Sequence, residues 1–112
     1  TPYVLFNGTA SKTSVDLSDS ASNYSYLEIF YGWDGLGFGI SSTKVASPNG
    51  RTANLGQIVH ANNNLYVASS YWSISGSSIT NSSSEYWRWA ANGSPTRTQT
   101  NQISVYYVVG YK

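Results

Sequence analysis

The segment from Tyr24 to Tyr31, YSYLEIFY, carries the strongest strand signal in the chain. Alternate residues of a strand point to opposite faces, so one face would carry Leu27, Ile29 and Tyr31. The other face is also largely aromatic. Both faces therefore suit burial, and the pattern predicts a strand in the centre of a sheet.

The remaining sequence predicts an all-β domain. Helix-forming residues never cluster at helical spacing, whereas Tyr, Val, Ile, Thr and Trp recur at strand spacing. Further strands are predicted over residues 3–6, 13–17, 40–46, 57–61, 65–75, 85–90 and 103–111. Turns every eight to twelve residues or so are typical of an antiparallel β-sandwich or jelly roll, here of about eight strands, with a barrel as the alternative. Residues 1–112 are interpreted as a single domain.

Ser, Thr and Asn are abundant and mark the predicted turns. Turns are expected at Asn7-Gly8, at Pro48-Asn49-Gly50 and at Asn62-Asn63-Asn64. Residues 51–55 and 92–102 are predicted as loops, and residues 76–84 as a polar segment around Ile79.

Composition excludes several classes of function. The chain has no cysteine, which rules out disulfides, thiolate catalysis and cysteine-ligated metals. Six Lys and Arg against five Asp and Glu provide no basic stripe, so nucleic acid is not an expected partner. No apolar run approaches the ~20 residues of a membrane span, so no membrane insertion is expected. The start at Thr1 is typical of a processed product.

The carboxylates and the single histidine do not form a recognisable catalytic or metal-binding motif. Glycoside hydrolysis normally needs two carboxylates flanking a bond. None of the five acidic residues is paired in a signature spacing, and His60 lies in no nucleophile motif. No catalytic residue, metal or cofactor is therefore predicted.

Aromatic residues make up 15% of the chain and suggest a binding function. Trp72 follows Tyr71, and Tyr86-Trp87-Arg88-Trp89 places two indoles on one strand face. A sugar ring presents an apolar C–H face surrounded by hydroxyls, so its site needs an aromatic platform with polar partners. The polar candidates are Arg88, Asp34, Asn62 and Asn63.

Burial competes with binding at each tryptophan. The chain has no Met and few Leu, so aromatic side chains must fill much of the core. This favours Trp87 and Trp89 as core residues, with Tyr86 and Arg88 pointing outward. Trp33 lies in the glycine-rich segment 32–39 with fewer strand neighbours, which makes an exposed, functional position the alternative to burial.

Four motifs resemble a known family. They are Val4-Leu5-Phe6-Asn7-Gly8, the segment Ser14 to Asp19, the segment Asn23 to Ile29, and the terminal Gly110-Tyr111-Lys112. Their order is similar to that of the C-terminal receptor-binding head domains of phage tail fibre and baseplate proteins, especially from phages of Gram-positive hosts. The match covers about the first 32 and last 10 residues. The resemblance implies a β-sandwich at the virion tail tip or baseplate, made in the host cytoplasm and often trimeric, that adheres to cell-surface saccharides.

These observations give one leading hypothesis and two alternatives. The leading one is a non-enzymatic adhesion module, working as a homotrimer, that binds a host-surface saccharide. The candidate ligand-binding residues are Trp33, Asp34, Asn62, Asn63, Trp72, Tyr86, Trp87, Arg88 and Trp89. The first alternative is a trimerisation or capping module of a fibre without its own ligand. The second is a small polysaccharide-degrading enzyme that uses Glu85 or Asp34.

Overall fold

The computed structural model describes residues 2–33, 39–91 and 93–112. Over these residues the chain is all-β, which confirms the predicted fold class. The strands are β1 (Pro2–Ser11), β2 (Ser14–Asp16), β3 (Tyr26–Trp33), β4 (Ser41–Ala46), β5 (Thr52–Ala61), β6 (Asn64–Ser75), β7 (Ser78–Ala90), β8 (Thr96–Thr98) and β9 (Ile103–Tyr111). A short 3-10 helix, Ala21–Asn23, lies between β2 and β3.

The described strands form two antiparallel sheets. Sheet A has the order β1-β9-β3-β4, and sheet B has the order β2-β7-β6-β5. Strands β2 and β8 pair with the same edge of β7. Strand β2 pairs with its first residues, and β8 pairs with residues 86–88. The central position predicted for β3 is confirmed, because it lies between β9 and β4. Only one of its faces is fully buried, whereas Tyr26, Glu28 and Phe30 on the other face are half-buried.

The two sheets share one hydrophobic core. Strand β5 illustrates the pattern: Ala53, Leu55, Gln57 and Val59 are buried, and the residues between them are exposed. Sheet A contributes Leu5, Leu27, Ile29, Val45, Val105 and Val108, and sheet B contributes Val15, Ala53, Leu55, Trp72, Ile74 and Ile79. Each sheet thus buries one face against the other.

Two predicted turns are confirmed by the backbone. Asn62 and Asn63 have φ angles of 52° and 61°, as required by the two-residue turn that joins β5 to β6. In the turn before β5, Gly50 has a φ of 83°, and the Arg51 N–H donates to the carbonyl of Pro48 at 3.1 Å. Asparagine and glycine occur here because they tolerate positive φ better than other residues.

Three predictions of loops and turns are wrong, and most of the segment 76–84, expected only to be polar, lies in a strand. Asn7-Gly8 continues β1, because Asn7 pairs with Tyr107 of β9. Residues 52–55 belong to β5, and residues 78–84 belong to β7. Thr96–Thr98 forms β8 within a segment expected to be a loop. In each case small polar residues are held in a ladder by pairing with a neighbouring strand, which local composition does not reveal.

Candidate functional site

Two of the four tryptophans are sealed in the core. Trp72 has 0% of its surface exposed, and its indole Nε1 donates to the Ser70 hydroxyl at 2.8 Å. Trp33 is only 6% exposed. Of the two alternatives for Trp33, the exposed position is therefore wrong and burial is confirmed, and the Trp72 ring has no surface on which to receive a ligand. Trp33 is buried because it is the last residue of β3, where it pairs with Ile103 of β9.

The orientation predicted for Tyr86-Trp87-Arg88-Trp89 is reversed. Tyr86 pairs with buried Ala68 and packs against the core. Trp87 and Trp89 therefore point to the outer face of sheet B, where Trp87 is half-buried and Trp89 is 37% exposed. Leu, Ile and Val side chains from both sheets make up most of the core, together with Trp33, Trp72 and two tyrosines, so Trp87 and Trp89 are not needed to fill it.

The outer face around the two indoles is apolar. Trp87 pairs with Val67, which in turn pairs with Ile58, and Trp89 pairs with Leu65. We call this surface the aromatic platform, and it consists of Ile58, Leu65, Val67, Trp87 and Trp89. Ile58 is 73% exposed. It lies in a contiguous apolar surface with Val67 and the two indoles, and such surfaces occur at interaction sites of folded proteins.

The two indoles of the platform lie nearly parallel. Their ring centroids are 6.0 Å apart and their planes are inclined by 24°. The two rings thus form a stacked pair on one strand and share a similar orientation. The pair therefore exposes aromatic surface on the outer face of sheet B, with Trp89 more accessible than Trp87.

Hydrogen bonds hold the indole of Trp87 in one orientation. The Nε1 of Trp87 donates to Oε2 of Glu85 at 2.6 Å. Oε1 of the same carboxylate accepts from Arg97, at 3.0 Å from Nε and 2.6 Å from the terminal nitrogen. These hydrogen bonds from Arg97 and then Trp87 hold the pKa of the Glu85 carboxyl below its usual value, and the carboxylate raises the pKa of Arg97. The carboxylate therefore stays ionised and keeps the indole oriented.

The predicted site residues fall into three places. Trp87 and Trp89 form the platform, and Asn62 and Asn63 form the exposed turn one residue pair beyond Leu65. Tyr86 and Arg88 lie on the opposite face of sheet B, in a cleft lined with Thr96 and Thr98. The residues that lie apart from these groups are Trp33 and Trp72 in the core and Asp34, which falls outside the described residues.

Sequence reasoning missed the aliphatic half of the platform. Ile58, Leu65 and Val67 are separated in sequence from the tryptophans, and only the register of β5, β6 and β7 brings them together. A usable signal was present, because Leu65 and Val67 alternate with Tyr66 just as Trp87 and Trp89 alternate with Arg88. Pairing the two alternations across the turn-linked strands would have placed them on one face.

Metal-ligating side chains do not cluster in this structure. Within residues 2–33, 39–91 and 93–112, no group of three His, Asp or Glu side chains could hold an ion. The same residues contain no helix long and apolar enough to cross a membrane.

Comparison of the chain with models of protein families, with curated proteins and with solved structures finds no match. The function is therefore inferred from the geometry of the aromatic platform and its surroundings.

Proposed function

We propose that the domain is a non-enzymatic adhesion module that binds cell-surface saccharide on the aromatic platform. The observation that carries this proposal is the pair Trp87 and Trp89, nearly parallel and accessible on the outer face of sheet B. The apolar C–H faces of sugar rings pack on such indoles. Face-on aromatic contacts of this kind each contribute about 1 kcal/mol, which suits a ligand that extends over both rings.

Preorganisation supports this proposal. Both indoles are carried by a strand that pairs with β6 along its length, and Glu85 holds the Trp87 ring. Little side-chain freedom is then lost when a ligand binds, so more of the contact energy appears as affinity. A rigid surface that carries two neighbouring rings suits an extended saccharide.

Polar groups around the platform supply hydrogen bonds to sugar hydroxyls. His60 pairs with Leu65 at one corner, and the amides of Asn62 and Asn63 lie beyond it in the exposed turn. Arg97 pairs with Trp87 at the opposite side and remains exposed. Donors and acceptors at the rim orient a ligand that the rings bind without directional preference.

The adhesion role fits a receptor-binding head at the tip of a phage tail. The motifs behind that resemblance lie mainly in β1, β3 and β9, three adjoining strands of sheet A. The platform lies in sheet B, within the central part of the sequence that the resemblance does not cover. We propose that the module acts as a homotrimer in the virion, since several copies raise weak single-site affinities by orders of magnitude.

An assembly module is the second candidate, and the exposure of Ile58 favours it. A residue 73% exposed in the single chain would be covered if the platform packed against another subunit. The two candidates differ in what the platform contacts. Under the assembly proposal, Ile58→Ser would dissociate an oligomer, and the isolated domain would bind no saccharide.

A cell-wall pull-down and a glycan array test the adhesion proposal. The variants are Trp89→Ala and, as the matched control, Tyr71→Ala, since Tyr71 is an exposed ring on the same outer face. It lies four residues from Val67, about 13 Å along β6. We expect Trp89→Ala to weaken binding about fivefold, the equivalent of about 1 kcal/mol, and Tyr71→Ala to leave it unchanged. Absence of binding to any wall fraction, together with a stable oligomer in sedimentation, would support the assembly module instead.

A further inference from the structure

A cleft on the inner face of sheet B is separate from the aromatic platform. It has a volume of about 390 Å³ and is lined by Tyr66, Tyr86, Arg88, Thr96 and Thr98. This volume falls within the range of about 300–1,000 Å³ typical of small-ligand sites. The strand register brings these residues together. Arg88 of β7 pairs with Tyr66 of β6 on one side and with Thr96 of β8 on the other, and Tyr86 pairs with Thr98.

Aromatic contacts fix the wall of the cleft. The Trp33 ring lies 5.5 Å from Tyr66 and 5.2 Å from Tyr86, and the two tyrosine rings are 6.4 Å apart. Trp33 thus supports both tyrosines from the core side. The Tyr66 hydroxyl accepts from Nδ2 of Asn64 at 3.4 Å. The cleft therefore has two oriented rings with polar tips.

Arg88 is the distinctive group in this cleft. It is exposed, and its guanidinium makes no hydrogen bond or ion pair with any residue that the structure describes. The other two arginines have partners: Arg97 binds Glu85, and the Nε of Arg51 donates to the Ser47 carbonyl at 3.1 Å. Glu85 cannot serve Arg88, because it lies on the opposite face of β7.

We infer that the cleft binds an anionic substituent of a saccharide, a carboxylate or a phosphate, through Arg88. A guanidinium forms paired hydrogen bonds with either group, and such charge-assisted bonds are stronger than neutral ones. The rings of Tyr66 and Tyr86 offer a surface for a sugar ring, and the hydroxyls of Thr96 and Thr98 offer donors and acceptors. This inference goes beyond the proposed function, because it assigns a second site with its own ligand class.

Equilibrium titration with matched probes tests the inference. The probes are an oligogalacturonate, the same oligosaccharide with its carboxylates reduced to alcohols, and glycerol phosphate. We expect the intact domain to bind an anionic probe at least about tenfold more tightly than the reduced one at low salt. Preference for the oligogalacturonate identifies a carboxylate ligand, and binding of glycerol phosphate identifies a phosphate ligand.

Substitutions test whether the preference for anionic probes depends on Arg88. Arg88→Gln should abolish the preference for anions and Arg88→Lys should retain part of it. Lys44→Gln, which removes the same charge from sheet A, should leave it intact. An unchanged preference in Arg88→Gln, or no binding of any anionic probe by the intact domain, would overturn the inference. Trp89→Ala separates the two proposals, since it should weaken wall binding without altering the preference that depends on Arg88.

Discussion

The indole nitrogen of Trp87 lies 2.6 Å from a carboxylate oxygen of Glu85, two residues earlier on the same face of β7. The other oxygen of that carboxylate binds Arg97 on the neighbouring strand β8. A chain of three side chains thus connects the edge strand to the aromatic platform. It gives a surface side chain a fixed orientation without burying it in the core.

Removing the charge of Glu85 should weaken binding. Glu85→Gln can still accept from the Trp87 indole but no longer forms an ion pair with Arg97, so the Trp87 ring gains freedom. We expect saccharide affinity to fall about threefold to tenfold, in keeping with the cost of ordering one loosened side chain. The matched control is Glu28→Gln, because Glu28 lies on sheet A and binds Ser42 at 2.9 Å. Equal losses in both variants would contradict a specific role for Glu85.

The same carboxylate should make stability depend on pH. Its pKa in the folded chain lies below the ordinary value of 4.5, so its contribution is present above pH 4.5 and is lost as the pH falls through the folded-state pKa. We expect the difference in Tm between the intact domain and Glu85→Gln to be largest at neutral pH and to vanish in acid. A difference that persists unchanged at pH 2 would contradict this.

Two tryptophans should respond oppositely in stability and binding assays. Trp72→Ala leaves a large cavity in the core and removes the partner of Ser70, which should cost about 3–5 kcal/mol in urea unfolding. Trp89→Ala removes a partly exposed ring and should change the free energy of unfolding by about 0.5 kcal/mol while reducing binding. Severe destabilisation by Trp89→Ala would show that the ring is structural.

The close approach of Tyr24 to Gly110 gives a packing prediction. A Cβ at residue 110 would lie 2.5 Å from Cδ1 of Tyr24 and 2.9 Å from Cδ1 of Leu5. Tyr24 cannot easily move, since its hydroxyl donates to Asp19 at 2.9 Å. We expect Gly110→Ala to cost about 1–3 kcal/mol through overpacking.

The control for Gly110→Ala is Gly8→Ala in the neighbouring strand. A Cβ there meets the Phe6 ring at 3.5 Å, an ordinary contact. Chemical denaturation should show little or no loss for this variant. Equal stability of the two alanine variants would contradict the packing account.

Features of this fold that depend on local sequence signals were predictable, whereas features that depend on long-range strand pairing were not. The all-β fold was predictable from Tyr, Val, Ile, Thr and Trp at strand spacing, from the alternation within β3 and from the Asn62-Asn63 turn, because these signals are local. The full length of β7 was not predictable in the same way. Its first half is rich in serine and is held by pairing with β2 and β6, which is a long-range effect.

The candidate site likewise depends partly on local sequence and partly on long-range strand pairing. The sequence identified Trp87 and Trp89 as neighbours on one face, but not which face. The face is decided by the residue of β7 that pairs with an inward-facing residue of β6. That residue is Tyr86, because it pairs with Ala68, which lies in the core opposite Gln57. A one-residue difference in register would have exchanged the two faces.

The most direct test follows the indole N–H signals of the tryptophans by NMR during titration with host cell-wall saccharide. The account predicts that the signals of Trp87 and Trp89 shift progressively to saturation, while that of fully buried Trp72 stays in place. Assignment comes from single Trp→Phe variants. Saturable binding with no shift at Trp87 or Trp89 would contradict the account.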